Sequence, residues 1–274
     1  MKINHNISAL NAYRNLSTNT TNTNKSLEKL SSGLRINKAS DDAAGLAISE
    51  KMRSQIRGLN MAERNALDGV SLIQTAEGSL SSVHEMLQRM RELTVQSANG
   101  TYTNEDREAI QEEYNQLTAE IERVSETTEF NSAKLLDGSQ SEFSFQIGAN
   151  AGQTIELTIN KMNAEELGLG TAAAPLNVKT AEAANAALSK IDAAIAAVSA
   201  ERSNLGAMQN RLEHTITNLQ TMSENVTSAE SRIRDVDMAL EMTEFTKNTI
   251  LNQAAQAMLA QANQLPQGVL QLLK

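Results

Sequence analysis

With histidine only at positions 5, 84 and 214 and no cysteine, this 274-residue chain has few side chains able to do chemistry. His84-Glu85 begins like the HEXXH zinc motif, in which two histidines one helical turn apart hold the metal and the glutamate activates a water. Position 88 is Gln, so the second ligand is missing and a solvated histidine on a helix face is expected. Asp235 and Asp237 in RIRDVDM could open a cation loop, but Arg232 and Arg234 alternate with them, and charge pairing is the better expectation. Gly168 and Gly170 are followed by no helix-opening glycine, so no nucleotide loop is expected. The chain is therefore read as having no catalytic residues, no metal and no cofactor, and as not being an enzyme.

The composition points to an architecture of helices. Seven aromatic residues and no Trp leave the packing to Ala, Leu, Ile and Met, and the only prolines are Pro175 and Pro266. Long helices packed side by side suit such a chain. A net charge of −9 makes nucleic acid a poor partner. The absence of cysteine excludes disulfides and thiolate metal sites. No apolar run of seven stands near the N-terminus, so no signal peptide is expected, and export would need a route that does not read one.

The helical stripes can be followed by their spacing. Ser40, Asp41 and Asp42 are expected to open a helix running to about Ala98, with Ser40 as its cap. Leu59, Ala62, Ala66, Val70, Ile73, Ala76, Leu80, Val83, Leu87 and Met90 give it an apolar seam at steps of three and four. Glycines 45, 58, 69 and 78 within it are expected where a neighbour approaches closely. Asn99-Gly100 ends this helix, and Thr103 with Asp106 forms a capping box for the next, whose stripe is Ile110, Tyr114, Leu117, Ile121 and Val124. From Phe130 to Thr180 the helical period is lost, and SEFSFQIG and QTIELTINK alternate as two strands joined by GANAG, a β-hairpin. The helical pattern resumes near Ala181, from Leu188 through Ile191, Val198, Leu205, Leu212 and Leu219 to Met222 and Leu240.

Both ends of the chain look marginal alone. Residues 248–273 carry no charge, nine Asn or Gln and nine Ile, Leu, Met or Val. Ala255, Met258, Ala262, Leu265, Val269 and Leu272 would form one apolar stripe among amides and alanines. This is too polar for a membrane span and too uncharged for an ordinary solvated helix. At the other end Ile3, Ile7 and Leu10, then Leu27, Leu30 and Leu34, repeat the theme around the polar run STNTTNTN. Such segments bury too little to offset their own ordering, so they should become helical when other copies or partners cover them. The expected fold is mainly α: a long antiparallel helical bundle or coiled-coil rod with a small β-hairpin region at the turn-around end. Its parts are an N-terminal segment (1–40), the first half of the rod (41–138), the hairpin region (139–180), the second half of the rod (181–240) and a C-terminal helix (241–274).

Several of these segments carry a family resemblance. LSSGLRINKASDDAAGLAIS (30–49), QRMRELTVQSANG (88–100), ESRIRDVDMA (230–239) and EFTKN followed by QAMLAQANQ closely resemble bacterial flagellin, over about residues 1–138 and 186–274. Only about fifty residues separate the two halves, so the chain is similar to a minimal flagellin without large outer domains. The resemblance implies a structural subunit that self-polymerises into the flagellar filament for swimming motility. It implies terminal segments that fold on assembly, type III export of unfolded subunits and an extracellular location. The implied partners are other copies of the chain, a flagellar export chaperone, flagellar cap and hook-junction proteins, and host innate immune receptors, with no nucleic acid and no membrane.

On the same resemblance the filament core and polymerisation surface comprise Ile3, Ile7, Leu10, Leu27, Leu30, Leu34, Met258, Leu259, Leu265, Val269, Leu270, Leu272 and Leu273. A Toll-like receptor is expected to read Arg89, Leu93 and Glu113, for which the plainer reading is an exposed ion pair beside a packed leucine. An intracellular innate receptor is expected to read Val269, Leu270, Leu272 and Leu273, which polymerisation and chaperone binding explain without a host. Two further readings share parts of the pattern: a hook-filament junction protein, and a helical signalling module like the cytoplasmic part of a chemoreceptor. The second would need a helical hairpin tip and usually a membrane span.

Overall fold

The computed structural model describes residues 6–171 and 174–272, and the side chains of 6–171 and 175–264. Ile3 and Leu273 lie outside the described residues, as do the side chains of Leu265, Val269, Leu270 and Leu272. The elements are α1 (Ile7–Ser32), α2 (Ala43–Ala98), α3 (Asn104–Thr127), β1 (Glu129–Phe130), β2 (Ala133–Lys134), β3 (Glu142–Gln146), β4 (Thr154–Thr158), β5 (Gly170–Thr171), β6 (Ala174–Pro175), α4 (Ala181–Arg234) and α5 (Met238–Leu272). They divide into a middle unit, Arg57–Ser223, and a terminal unit, Met1–Ile56 with Glu224–Lys274. The fold is a helical bundle with long helix-to-helix packing.

In the middle unit the seams pack against one another. Leu59, Ala62, Ala66, Ile73, Ala76, Leu80, Val83, Leu87 and Met90 are all buried on α2, while Val70 is half-buried. On α3, Ile110, Tyr114 and Ile121 are buried. On α4 the buried line runs Ala184, Ala187, Ile191, Ala194, Val198, Glu201, Leu205, Met208 and Leu212 by alternating threes and fours, then Leu219 one heptad on, past the half-buried Ile216. Each large side chain removed from water this way contributes about 1.5–3 kcal/mol. Met222 drops out of the line, at 53 % exposed. Arg91–Asp192 (2.7 Å), Arg202–Glu77 (3.7 Å) and Gln220–Glu63 (2.7 Å) link α4 to α2 in antiparallel order.

The helix ends follow local chemistry with one correction. Thr103 and Asp106 form the reciprocal capping box at the start of α3. At α2 the cap is Asp42 and not Ser40: the Asp42 carboxylate accepts from Gly45 N–H at 2.8 Å. Asp41 instead accepts from the Asn37 and Lys38 N–H groups, closing the preceding turn. Of the α2 glycines, Gly58 has the reason expected, since a Cβ there would meet Ala149 Cβ of the β3–β4 loop at 2.8 Å; at Gly78 nothing lies within 4 Å.

The expected hairpin forms, with Phe143 opposite Leu157 and Phe145 opposite Ile155. Two shorter ribbons, β1–β2 and β5–β6, accompany it. The turn between β1 and β2 places Asn131 and Ser132 at φ 50° and 66°, the left-handed pair that suits a two-residue hairpin. A further departure from the sequence pattern is residues 159–178, where Ile159, Met162, Ala164, Leu167, Leu169 and Val178 are buried without a helical or strand period.

Helix side chains hold this irregular stretch by its backbone. Gln111, 5 % exposed, donates to Leu176 O at 2.9 Å and accepts from Val178 N–H at 2.7 Å. Ser97 donates to Val178 O, and Glu122 accepts from Ala164 N–H at 3.0 Å. Glu201, a carboxylate in an otherwise apolar seam, accepts from Asn160 N–H and from its side-chain amide. A buried polar group without a partner is costly, and a chain without a regular ladder must find its partners on neighbouring elements. Gln111→Ala should therefore cost about 2–4 kcal/mol in urea unfolding, because two buried backbone groups lose their partner at once. Tyr114 gives the opposite sign: its hydroxyl is buried without a hydrogen-bond partner, and burial pushes its ionisation up. Tyr114→Phe should leave stability unchanged or raise it by about 0.5–1 kcal/mol in the same measurement.

Candidate functional site

The residues first considered for chemistry are spread through the fold. His84 sits half-buried on α2, with its Nδ1 buried and without a partner. Among the described residues no three His, Asp or Glu gather in a group that could hold a metal. The expected pairing of Asp235 and Asp237 with Arg232 and Arg234 is not what forms. Asp235 accepts from the Ser231 hydroxyl at 2.7 Å, and Asp237 caps α5 through the Ala239 and Leu240 N–H groups. Arg234 reaches Glu50 at 2.6 Å, and Arg232 donates to the Ser228 hydroxyl. Gly168 and Gly170 take φ of 72° and 86°, bounding the turn into β5.

The concentration of unusual surface lies in the terminal unit, where α1 packs antiparallel on α5. Asn6 Nδ2 donates to Ala262 O at 2.7 Å, Thr20 and Thr23 meet Asn252, and Lys29 approaches Glu241 at 3.6 Å. Burial locates the seam. On α1 it runs Asn6, Ala9, Ala12, Leu16, Asn19, Thr23, Ser26 and Leu30; on α5 it runs Glu241, Phe245, Asn248, Asn252, Ala255, Leu259 and Ala262. Both lines alternate by threes and fours, so the helices pair as a coiled coil, but most of the side chains between them are small or polar. The stripe expected through Met258 is thereby corrected: Leu259 joins Ala255 and Ala262 in the seam, and Met258 stands 64 % exposed beside it.

The large apolar side chains face away. Ile7, Leu10, Tyr13 and Leu27 on α1, and Met238, Leu240, Met242, Ile250, Leu251 and Met258 on α5, are all exposed. Leu30, Leu34 and Leu259 are half-buried. Among the described residues of this unit only Ile36 and Ala262 are buried apolar groups, against more than thirty in the middle unit. A pair of helices with so little between them and so much apolar surface outside is incomplete by itself.

Two of the quoted motifs meet within the same unit. Gly33 ends α1 in the left-handed conformation, and its N–H bonds Lys29 O. The next residues pair with the α4–α5 junction: Arg35 N–H donates to Arg234 O at 2.7 Å and Val236 N–H to Gly33 O at 3.1 Å. The Arg35 guanidinium adds a bond of 2.6 Å to Ile233 O, taking one of the carbonyls left free at the end of α4. The SSGLR and RIRDVD segments are thus one joint, which holds the bases of α1 and α5 together.

Arg89, Leu93 and Glu113, in the middle unit, divide by depth. Arg89 and Glu113 are exposed and paired at 2.8 Å between α2 and α3, with Glu92 at 3.1 Å completing the cluster. Leu93 is 2 % exposed and belongs to the core beneath them.

The chain matches two family models, the bacterial flagellin N-terminal helical region over residues 3–141 and the C-terminal helical region over 188–273. It is 59 % identical to a flagellin of Halalkalibacterium halodurans and 56 % identical to a flagellin of Bacillus subtilis, each alignment covering both chains completely. A crystal structure of Bacillus cereus flagellin superimposes with a TM-score of 0.52 at 31 % identity, over 61 % of this chain and 94 % of that one. The depth difference among the three middle-unit residues can be measured directly. Arg89→Ala should change thermal stability by less than about 1 kcal/mol, as exposed ion pairs do, whereas Leu93→Ala should cost about 2–5 kcal/mol.

Proposed function

The chain belongs to the bacterial flagellin family, and from that premise we propose that α1 and α5 become fully ordered only when neighbouring subunits cover their apolar faces. It is a structural subunit that polymerises into the flagellar filament, and it is not an enzyme. One observation carries the proposal: among its described residues the terminal unit holds two buried apolar residues, while most of its large apolar side chains point outward. A head-to-tail contact between identical subunits that does not close on itself generates a helical polymer, and such a contact would cover these faces.

In this reading the polymerisation surface is Ile7, Leu10, Leu27 and Met258, backed by the half-buried Leu30, Leu34 and Leu259. Ile3, Leu265, Val269, Leu270, Leu272 and Leu273 extend it toward the chain ends. Residues 1–40 and 241–274 form the filament core, residues 41–138 and 181–240 the two halves of the surrounding rod, and 139–180 its small outer region. Subunits leave the cell unfolded by type III export, with a chaperone covering the C-terminal helix, and the cap and hook-junction proteins meet the same surfaces at the filament ends. Poor helix formers in α1, the STNTTNTN run, support passage in an unfolded state. Recognition of the monomer by a Toll-like receptor would rest on Arg89 and Glu113, with Leu93 holding their helix in place from below. Intracellular recognition would use Val269, Leu270, Leu272 and Leu273. No observation favours the hook-junction or signalling readings over this one.

Removal of residues 1–34 and 253–274 tests the assignment. The truncated chain should remain helical and monomeric, while the full-length chain extends seeds into filaments under electron microscopy and gains helix by circular dichroism as it does so. Equal polymerisation by the truncated chain would overturn the proposal. In the full-length chain, Leu27→Ser with Met258→Gln should raise the critical concentration at least tenfold, about 1.4 kcal/mol.

A further inference from the structure

The seam between α1 and α5 raises a question of register. Three-four seams repeat every heptad, so helices lined by Ala and Leu can slide by seven residues and find equivalent packing. From Asn248 onward α5 carries no charge, so ion pairs cannot fix its position there. The Asn6 bond to Ala262 O contributes little discrimination, because a backbone carbonyl recurs at every residue. The base of the pair is held by the Arg35–Arg234 and Val236–Gly33 backbone bonds and by Lys29–Glu241, so beyond it the seam itself must keep the alignment.

The centre of the seam is polar. Asn19, Thr23 and Ser26 face the stretch holding Asn248 and Asn252, with Ser26 and Asn248 both buried. Asn252 Nδ2 donates to the Thr23 hydroxyl at 2.7 Å, and that hydroxyl donates on to Asn19 O at 2.8 Å. The Thr20 hydroxyl, bonded to Leu16 O at 2.9 Å, also approaches Asn252 Oδ1 at 3.3 Å. The Asn252 amide nitrogen is therefore engaged by a hydroxyl that is itself oriented by the α1 backbone, with the Thr20 hydroxyl beside the amide oxygen. A slip of one heptad would place Asn252 opposite Tyr13 and Leu16, or opposite Leu27 and Leu30, where no threonine hydroxyl stands to bond the amide.

We propose that Asn252 is the register-determining residue for the pairing of α1 with α5: a polar lock that selects one alignment of the terminal helices and thereby specifies which subunit geometry assembles. The inference rests on the reading of these helices as the elements that pair in the filament. A half-buried amide at one seam position gives up stability to gain specificity, since every slipped alignment takes its threonine partner away.

The chain has no cysteine, so engineered disulfides report register without background. In the full chain, Ala12→Cys with Leu259→Cys samples the observed alignment, Asn19→Cys with Leu259→Cys a slip of one heptad in one direction, and Ala9→Cys with Ala255→Cys a slip in the other. Filaments grown from each are oxidised, and intrachain disulfides are quantified by mass spectrometry. With Asn252 present, the first pair should cross-link and the two slipped pairs should not. Adding Asn252→Leu should raise the slipped cross-links at least tenfold relative to the first, and Asn252→Thr, which keeps a hydroxyl for the bond, should restore much of the preference. An unchanged ratio in Asn252→Leu overturns the lock while leaving the assembly reading intact. Failure of the first pair to cross-link with Asn252 present overturns the assembly pairing and the lock together. If Asn252→Leu chains do not polymerise alone, the same disulfides are read in filaments copolymerised with an excess of cysteine-free chains that keep Asn252, where an unchanged ratio is equally decisive.

Discussion

The helix seam at alternating steps of three and four is the constraint on which everything else depends. In the middle unit it brings Leu80, Val83, Leu87 and Met90 of α2 and Ile191, Val198, Leu205 and Leu212 of α4 into one core, together with Tyr114 and Ile121 of α3. With hardly any aromatic residues, this packing of medium-sized aliphatic side chains must supply most of the burial. Glu201 shows how strict the geometry is: the seam buries that position whatever residue occupies it, and the structure supplies Asn160 as a partner.

The non-helical excursion depends on the same helices in a different way. Its β3–β4 hairpin turns Phe143, Ile155 and Leu157 toward the core through ordinary strand alternation. The chain from Ile159 to Val178 shows no such period among its described residues, and backbone groups of Asn160, Ala164, Leu176 and Val178 are held by Glu201, Glu122, Gln111 and Ser97, side chains projecting from helices. The irregular segment is held in place by polar groups at the rim of an apolar core, an arrangement that is stable only while both are intact.

The terminal unit applies the seam with the opposite composition. Its α1–α5 line is small and polar, its large side chains face outward, and its bases are joined through Gly33, Arg35, Arg234 and Val236. The subunit therefore combines a middle that buries most of its large apolar side chains with a terminal unit whose described large apolar side chains are mostly exposed. Among the described residues no helix is long and apolar enough to cross a membrane.

Local patterns in the sequence determined much of this. The α2 seam from Leu59 to Met90, the Thr103–Asp106 box, the Phe143–Leu157 hairpin and the breaks between them follow from spacing and residue type, because each is decided by neighbours within a few positions. What only the tertiary structure decided was which stripe faces which partner. Spacing marked Ile7, Leu10, Leu27 and Met258 as apolar stripes but could not tell a face buried within the chain from one left open, since both have the same period. The structure gave the seam to Ala12, Asn19, Thr23, Asn252 and Leu259. Likewise Glu50 as the partner of Arg234, Leu93 as a core residue and the burial of Ile159, Met162, Ala164, Leu167, Leu169 and Val178 all depend on groups distant in the chain meeting in space. Short-range periodicity fixes the elements; the choice between small and large faces in a coiled pair is a contest between distant surfaces, and only packing resolves it.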